Sequence, residues 1–179
     1  MPKIFVISGH SGSGKTTIAN SLLKKNNDLE KVITCTTRKP RNNEINGKDY
    51  FFLTLEEFEK NIKENLMAEY EKYSGNYYGS RKKDVEKILN NGKKVLFVVD
   101  TKGALTLKKS FSNSILIFIK APSLKELKKR LLKRGDKKNF VEKRFLEIND
   151  ELKREKEFDF VIINNILEKA IDDVQKIIK

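Results

Sequence analysis

The sequence predicts an α/β fold, a parallel β-sheet flanked by helices with a small β-rich excursion, and three observations carry that expectation. Short apolar runs recur at Lys3 to Ser8, Lys94 to Val99, Ser114 to Ile119 and Phe158 to Ile163, each followed by a segment with helical signals. Such alternation places parallel strands beneath crossover helices. A glycine-rich loop joins the first run to the first helical segment. Between Val32 and Ser80 the pattern changes to short strands containing Tyr and Phe, set among turn signals.

Taken in chain order, the Lys3 to Ser8 strand runs into Gly9-His10-Ser11-Gly12-Ser13-Gly14-Lys15-Thr16, the Walker A pattern of a P-loop NTPase-type sheet. Glycines let the backbone wrap a phosphate with several N–H groups pointing inward, and the helix N-terminus adds partial positive charge. Lys15 is expected to reach the β- and γ-phosphates, and Thr16 to ligate Mg²⁺ bound with the nucleotide. Residues Gly9 to Thr16, together with Thr17, form the expected nucleotide-binding set. His10 occupies a variable position of the pattern and reads as a loop residue without a catalytic role.

In the excursion, Asp49 to Leu53 and Met67 to Tyr73 are strand candidates, separated by turn signals at Asn46-Gly47 and Ser74-Gly75-Asn76. Thr54 followed by Glu57 is a capping-box pattern that opens a helix. Ser123 followed by Glu126 opens another that runs to Arg134, with Gly135 just beyond. No internal repeat or low-complexity linker interrupts the chain.

At 179 residues, 38% of them apolar, the chain is long enough to bury one sizeable core, so a single domain is expected. Its formal charge of +13 admits nucleic acid, an anionic membrane or a highly phosphorylated small substrate as partner. Between Lys120 and Arg144 eleven Lys or Arg face three acidic residues, so the excess is concentrated in one helical region. The apolar run at Ile4 to Ile7 is far too short for a signal peptide, and no stretch approaches the ~20 apolar residues that span a bilayer. A cytoplasmic protein is expected. Cys35 is the single cysteine and reads as a small apolar strand residue, and with His10 the only histidine there is no zinc constellation.

From Thr34 onward the sequence resembles the guanylate kinase family. The likeness is carried by Thr36-Thr37-Arg38-Lys39-Pro40-Arg41, Glu44, Gly47-Lys48-Asp49-Tyr50 and Ser74-Gly75-Asn76-Tyr77-Tyr78-Gly79-Ser80, in order after the Walker A loop. The resemblance implies transfer of the γ-phosphoryl group of ATP, with Mg²⁺, to GMP and also dGMP. It divides one domain, 1–179, into a core of 1–33, 81–124 and 156–179, a GMP-binding region of 34–80 and a helical lid of about 125–155. Arg38 and Arg41 would hold the GMP phosphate through planar bidentate hydrogen bonds, with phenolic donors from Tyr50 and Tyr78. Glu69 would accept from N1–H and the exocyclic amine of guanine, with Thr34 and Ser80 toward O6, and Gly79 in the same motif. Thr34 stands where the family usually has serine.

The lid resembles the family's in the stretch from Leu127 to Gly135, followed after a spacer by Arg144. Arg130, Arg134 and Arg144, with Lys15 and Arg38, would stabilise the charge that develops during transfer. The spacer is one residue shorter than usual. After the Val95 to Val99 strand the family shows an acidic residue, an apolar one, Asp, an aromatic or Met, Gln and Gly. Here Val98-Val99-Asp100-Thr101-Lys102-Gly103 has lost the first carboxylate, which leaves Asp100 to serve alone near the metal waters and the acceptor, or to cap the next helix. Asn164 falls where the family contacts the adenine of ATP.

Two other readings stay open at this point. A related P-loop kinase acting on a sugar phosphate is compatible with the loss at Val98. A guanylate-kinase-like module that binds phosphopeptides would share the fold, although such modules usually lose the Walker lysine that Lys15 preserves. The substrates expected are GMP and ATP, with neither nucleic acid nor membrane as partner, in a monomer or homodimer.

Overall fold

The computed structural model describes residues 3–73, 75–133, 145, 148 and 151–179. Arg134 and Arg144, with Ser74 and Gly135, therefore lie outside the described residues.

β1 (Ile4–Gly9) is buried along its whole length because it is the central strand of a five-stranded sheet. The order is β2 (Leu29–Lys31), β7 (Lys94–Val98), β1, β8 (Ile115–Lys120) and β9 (Phe160–Ile163), all parallel. Alternation along β1 sends its side chains to two layers. Phe5 and Ile7 meet α1 (Lys15–Lys25) and α6 (Leu167–Ile178) through Ile18, Leu22, Ile171 and Val174. Ile4 and Val6 meet α3 (Lys82–Asn90) and α4 (Thr101–Ser110) through Val85, Ile88, Ala104 and Leu107. The inner strands β1, β7 and β8 are covered on both faces and so are almost wholly apolar, which makes their runs legible, whereas β9 is an edge strand whose apolar residues are largely exposed. Phe97 is 1% exposed in the second layer, and its truncation to Ala would cost about 3–5 kcal/mol.

The excursion folds as a second sheet in the order β4 (Phe51–Phe52), β3 (Cys35–Thr36), β6 (Asn76–Arg81) and β5 (Met67–Tyr73). β5 and β6 form an antiparallel hairpin closed by Gly75 at φ 82°. α2 (Leu55–Lys63) covers this sheet, and Phe58 stacks on Tyr77 with ring centroids 5.1 Å apart. Its N-terminus carries the complete Thr54–Glu57 capping box, with each residue bonding the other's backbone.

Several boundaries differ from expectation for identifiable reasons. The strand expected over Asp49 to Leu53 contracts to two residues, because Asp49 turns back to accept the N–H of Ile45. β9 begins at Phe160, since Phe158 leaves the ladder to pack edge-on against Phe118 at 5.2 Å. In α5 (Leu124–Lys133) the Ser123 hydroxyl accepts from Glu126 N–H, while the Glu126 carboxylate turns to Arg130 at 3.2 Å. The hydroxyl half of that capping box is thus present, and the carboxylate serves an i,i+4 pair.

The carboxyl ends of β1, β7, β8 and β9 carry Gly9, Asp100, Ala121 and Asn164 respectively. In open parallel sheets this edge is where ligands bind.

Candidate active site

Gly9 leaves β1 at φ 131°, a conformation open to glycine, and a Cβ there would lie 2.0 Å from the Ile119 carbonyl oxygen. The chain then wraps into α1, with Gly14 as its N-cap at φ 99°. Lys15 Nζ donates to the Gly9 and His10 carbonyls at 2.5 and 2.8 Å, so the ammonium spans the loop. Thr16 and Thr17 are exposed on the first turn of α1. Backbone N–H groups, a helix N-terminus and an ammonium converge here, which is the chemistry of an anion site. The Thr16 hydroxyl is suited to one position on a hard cation.

Asn164 is 4% exposed, and its Nδ2 donates to the Ser13 carbonyl at 2.8 Å. The Asn164 carbonyl accepts from Arg130 Nη2 at 3.1 Å. Asn164 thus ties the glycine-rich loop to α5. His10 is 2% exposed. Its Nδ1 donates to Glu151 at 2.6 Å and its ring sits edge-on to Phe118.

The second cluster belongs to the smaller sheet. Arg38 Nη2 donates to Glu44 Oε1 at 2.8 Å, while Arg41 N–H donates to the other Glu44 oxygen at 2.7 Å. Glu44 thereby closes the turn around Pro40, and its ion pair holds the Arg38 guanidinium above its usual range. That guanidinium lies 5.4 Å from the Tyr50 ring centroid, and the Tyr78 ring is edge-on to Tyr50 at 6.3 Å. Arg38, Tyr50 and Tyr78 are thus brought together, and the Arg41 residue is exposed beside them.

Glu69 is 5% exposed on β5, and Ser80 Oγ donates to its Oε1 at 2.8 Å from β6. Burial pushes its carboxyl up to about 7 against the lowering effect of Ser80, with the charges of Asp100 and Glu71 adding to the rise. A Cβ on Gly103 would stand 3.2 Å from Glu69 Oε2 and 3.5 Å from Asp100 Oδ1, so these carboxyls approach one point. Asp100 caps α4 by accepting Gly103 N–H at 2.8 Å. Because Val99 N–H bonds Ile7 O, Asp100 also lies beside the glycine-rich loop. The Thr34 carbonyl accepts Phe51 N–H and so joins β4 to the sheet.

The family model for guanylate kinase matches residues 1–179. This chain belongs to the guanylate kinase family. It is 40% identical to a guanylate kinase of Oceanobacillus iheyensis over 177 residues, covering 98% of this chain and 86% of that protein. It is 42% identical to a guanylate kinase of Fusobacterium nucleatum, covering 98% and 95%. The crystal structure of guanylate kinase from Anaplasma phagocytophilum superposes with a TM-score of 0.77 at 31% identity, over 98% of this chain and 83% of that one.

Within the guanylate kinase fold, two of this chain's features acquire physical explanations. Gly79 is required by chain packing, since a Cβ there would lie 2.6 Å from the Glu69 carbonyl and 2.8 Å from Tyr70 Cβ. Val98, where the family's first carboxylate is missing, faces the apolar layer of α1 and α6. Asp100 caps its helix, and its carboxyl approaches that of Glu69 at Gly103. Sequence reasoning missed Glu71, which lies beside Asp100 and accepts from Lys102 at 3.1 Å. The contact with Asp100 pushes its carboxyl up to about 7, with burial second. The strand period could have found it, because Glu71 shares a face with Glu69.

Proposed function

We propose that this chain transfers the γ-phosphoryl group of ATP to GMP, and also to dGMP, giving ADP and the corresponding diphosphate. The observation that carries the reading is a carboxyl 5% exposed, Glu69, held by Ser80 on the floor of the smaller sheet. A carboxylate there accepts from both guanine donors. Adenine, lacking those two donors, would leave it buried with Ser80 as its only donor, at a cost of about 1–3 kcal/mol or more.

Lys15 and the loop backbone hold the β- and γ-phosphates, while Arg38, Arg41, Tyr50 and Tyr78 hold the GMP phosphate in line. An oxygen of that phosphate bonds to the γ-phosphorus. The bond from this phosphorus to the β–γ bridging oxygen breaks, and ADP leaves with that oxygen. Because the transition state is loose, positioning and charge stabilisation do most of the work. Arg130 approaches from α5 and is held by Glu126 and the Asn164 carbonyl. Arg134 and Arg144 complete the charge stabilisation in this reading. Thr16 would hold the Mg²⁺ that accompanies ATP, whose chemistry there is to neutralise the phosphate oxygens.

The domain works as one unit, with 34–80 as the GMP region and about 125–155 as the lid. Among the described residues no helix is long and apolar enough to cross a membrane. We place the protein in the cytoplasm, as a monomer or homodimer without nucleic-acid or membrane partners. The test is a coupled assay of ADP release with GMP, dGMP, AMP and a sugar phosphate, on wild type and Lys15→Ala. GMP-dependent turnover that Lys15→Ala abolishes without unfolding supports the reading. Turnover only with the sugar phosphate, or near-normal turnover in Lys15→Ala, contradicts it.

A further inference from the structure

Two features of this chain meet beside the acceptor pocket. Lys102 stands where the family pattern has glutamine, and its Nζ donates to Glu71 Oε1 at 3.1 Å. Glu71 also lies beside Asp100, the remaining carboxylate of the pattern that has lost its first member to Val98, and that neighbour raises the Glu71 carboxyl. Neither contact seals Glu71, whose side chain keeps 24% exposure.

The register of the hairpin fixes where Glu71 looks. Glu69 lies opposite Ser80, and Glu71 lies opposite Tyr78. Residues two apart on a strand share a face, so all four line one face of β5 and β6. One end of this row, Glu69 with Ser80, is the base-reading end; at the other, Glu71 faces Tyr78, whose ring extends beyond the strand to Tyr50 and, through it, to the phosphate-reading Arg38. The two positions on β5 are separated by ~6.7 Å, a step that the sugar of a nucleotide spans. The Glu71 carboxyl, one step along β5 from Glu69 and short of the Tyr50 and Arg38 side chains that the Tyr78 ring reaches, falls between the base and the phosphate of an acceptor laid along this face, where the sugar lies.

We propose that Glu71, held by Lys102, reads the acceptor's sugar by accepting a hydrogen bond from the ribose 2′-hydroxyl, which makes GMP a better acceptor than dGMP. This rests on the placement of GMP proposed above. The 2′-hydroxyl is the one donor that separates the two substrates, and a carboxyl oxygen fixed by a neighbouring ammonium is preorganised to receive it. Glu71 is then a specificity residue, and Lys102 acts through it.

The experiment compares kcat/KM for GMP, dGMP and AMP at saturating Mg-ATP in wild type, Glu71→Ala and Glu71→Gln. Wild type should prefer GMP over dGMP roughly tenfold, the scale of one hydrogen bond to a charged group. Glu71→Ala should bring that ratio to within about twofold of one, with the KM for ATP and the GMP/AMP ratio unchanged. If Glu71→Ala folds poorly, the isosteric Glu71→Gln carries the test and must lower the GMP/dGMP ratio at least threefold. A wild-type ratio near one, or a ratio unmoved by the folded variant, overturns the proposal. Failure of the base placement would show separately, as a GMP/AMP ratio near one in wild type.

Discussion

The side-chain amide of Asn164 donates to the carbonyl of Ser13 at 2.8 Å, joining residues 151 positions apart at the base of the glycine-rich loop. The same residue's carbonyl accepts from Arg130, so one asparagine links the donor loop to the arginine of α5. Asn164→Ala leaves the Ser13 carbonyl without its partner and Arg130 with a less constrained acceptor. We expect a loss of about 1–3 kcal/mol in stability, read by urea denaturation. The KM for ATP should rise several-fold while the KM for GMP changes little, and equal changes in both would place Asn164 outside the donor site.

Arg38 is held between Glu44 and the Tyr50–Tyr78 pair, a planar guanidinium in a site with a planar task. Arg38→Lys keeps the charge but loses the bidentate fork and the stacking geometry. We expect kcat/KM for GMP to fall by roughly 10- to 100-fold with the KM for ATP nearly unchanged. Steady-state kinetics varying each nucleotide in turn checks this. A Lys variant equal to wild type would show that the fork is not used.

Burial raises the Glu69 carboxyl from its ordinary 4.5 to about 7, and this has consequences of opposite sign for binding and for folding. In the free enzyme, kcat/KM for GMP should rise with pH through about 7, because only the ionised form accepts both guanine donors. Stability should move the other way. Between pH 4.5 and about 7 the folded state binds this proton and the unfolded state has released it, so stability falls as pH rises across that window. Above it the full penalty, roughly 3 kcal/mol, is present. Glu69→Gln should therefore be more stable than wild type at pH 8 by roughly 1–3 kcal/mol, as read by chemical denaturation. A variant of equal or lower stability at pH 8 would contradict the buried carboxylate.

Much of this architecture was legible because burial on both faces of the main sheet forces apolar runs, and because the glycine-rich loop admits few other residues. β5 was bounded at Met67 and Tyr73 from sequence, whereas β2 was not seen, since Leu29-Glu30-Lys31 carries two charges in three residues on a sheet edge. The acceptor residues could be named from the resemblance, but their mutual geometry could not. Glu44 was quoted as part of a motif, and its grip on Arg38 and the Arg41 backbone exists only once the turn at Pro40 closes. Glu69 and Glu71 look alike along the chain as acids in a strand. What distinguishes them is Ser80 across one register and Asp100 with Lys102 beside the other, and those neighbours are tertiary. The contacts of Asn164 and His10 were likewise hidden, because each spans more than 140 positions.

Guanine selection rests most directly on Glu69, and Glu69→Gln tests this with one ratio. An ionised carboxylate offers two acceptors to the two guanine donors, whereas the amide offers one acceptor and sets a donor against a donor. The measurement is kcat/KM for GMP divided by kcat/KM for AMP, in wild type and variant, at saturating Mg-ATP and pH 8. The account predicts that the ratio falls by ~30- to 1,000-fold, the equivalent of roughly 2–4 kcal/mol, with the KM for ATP unchanged. A ratio that stays at its wild-type value would contradict it, and base selection would then have to come from elsewhere in the pocket.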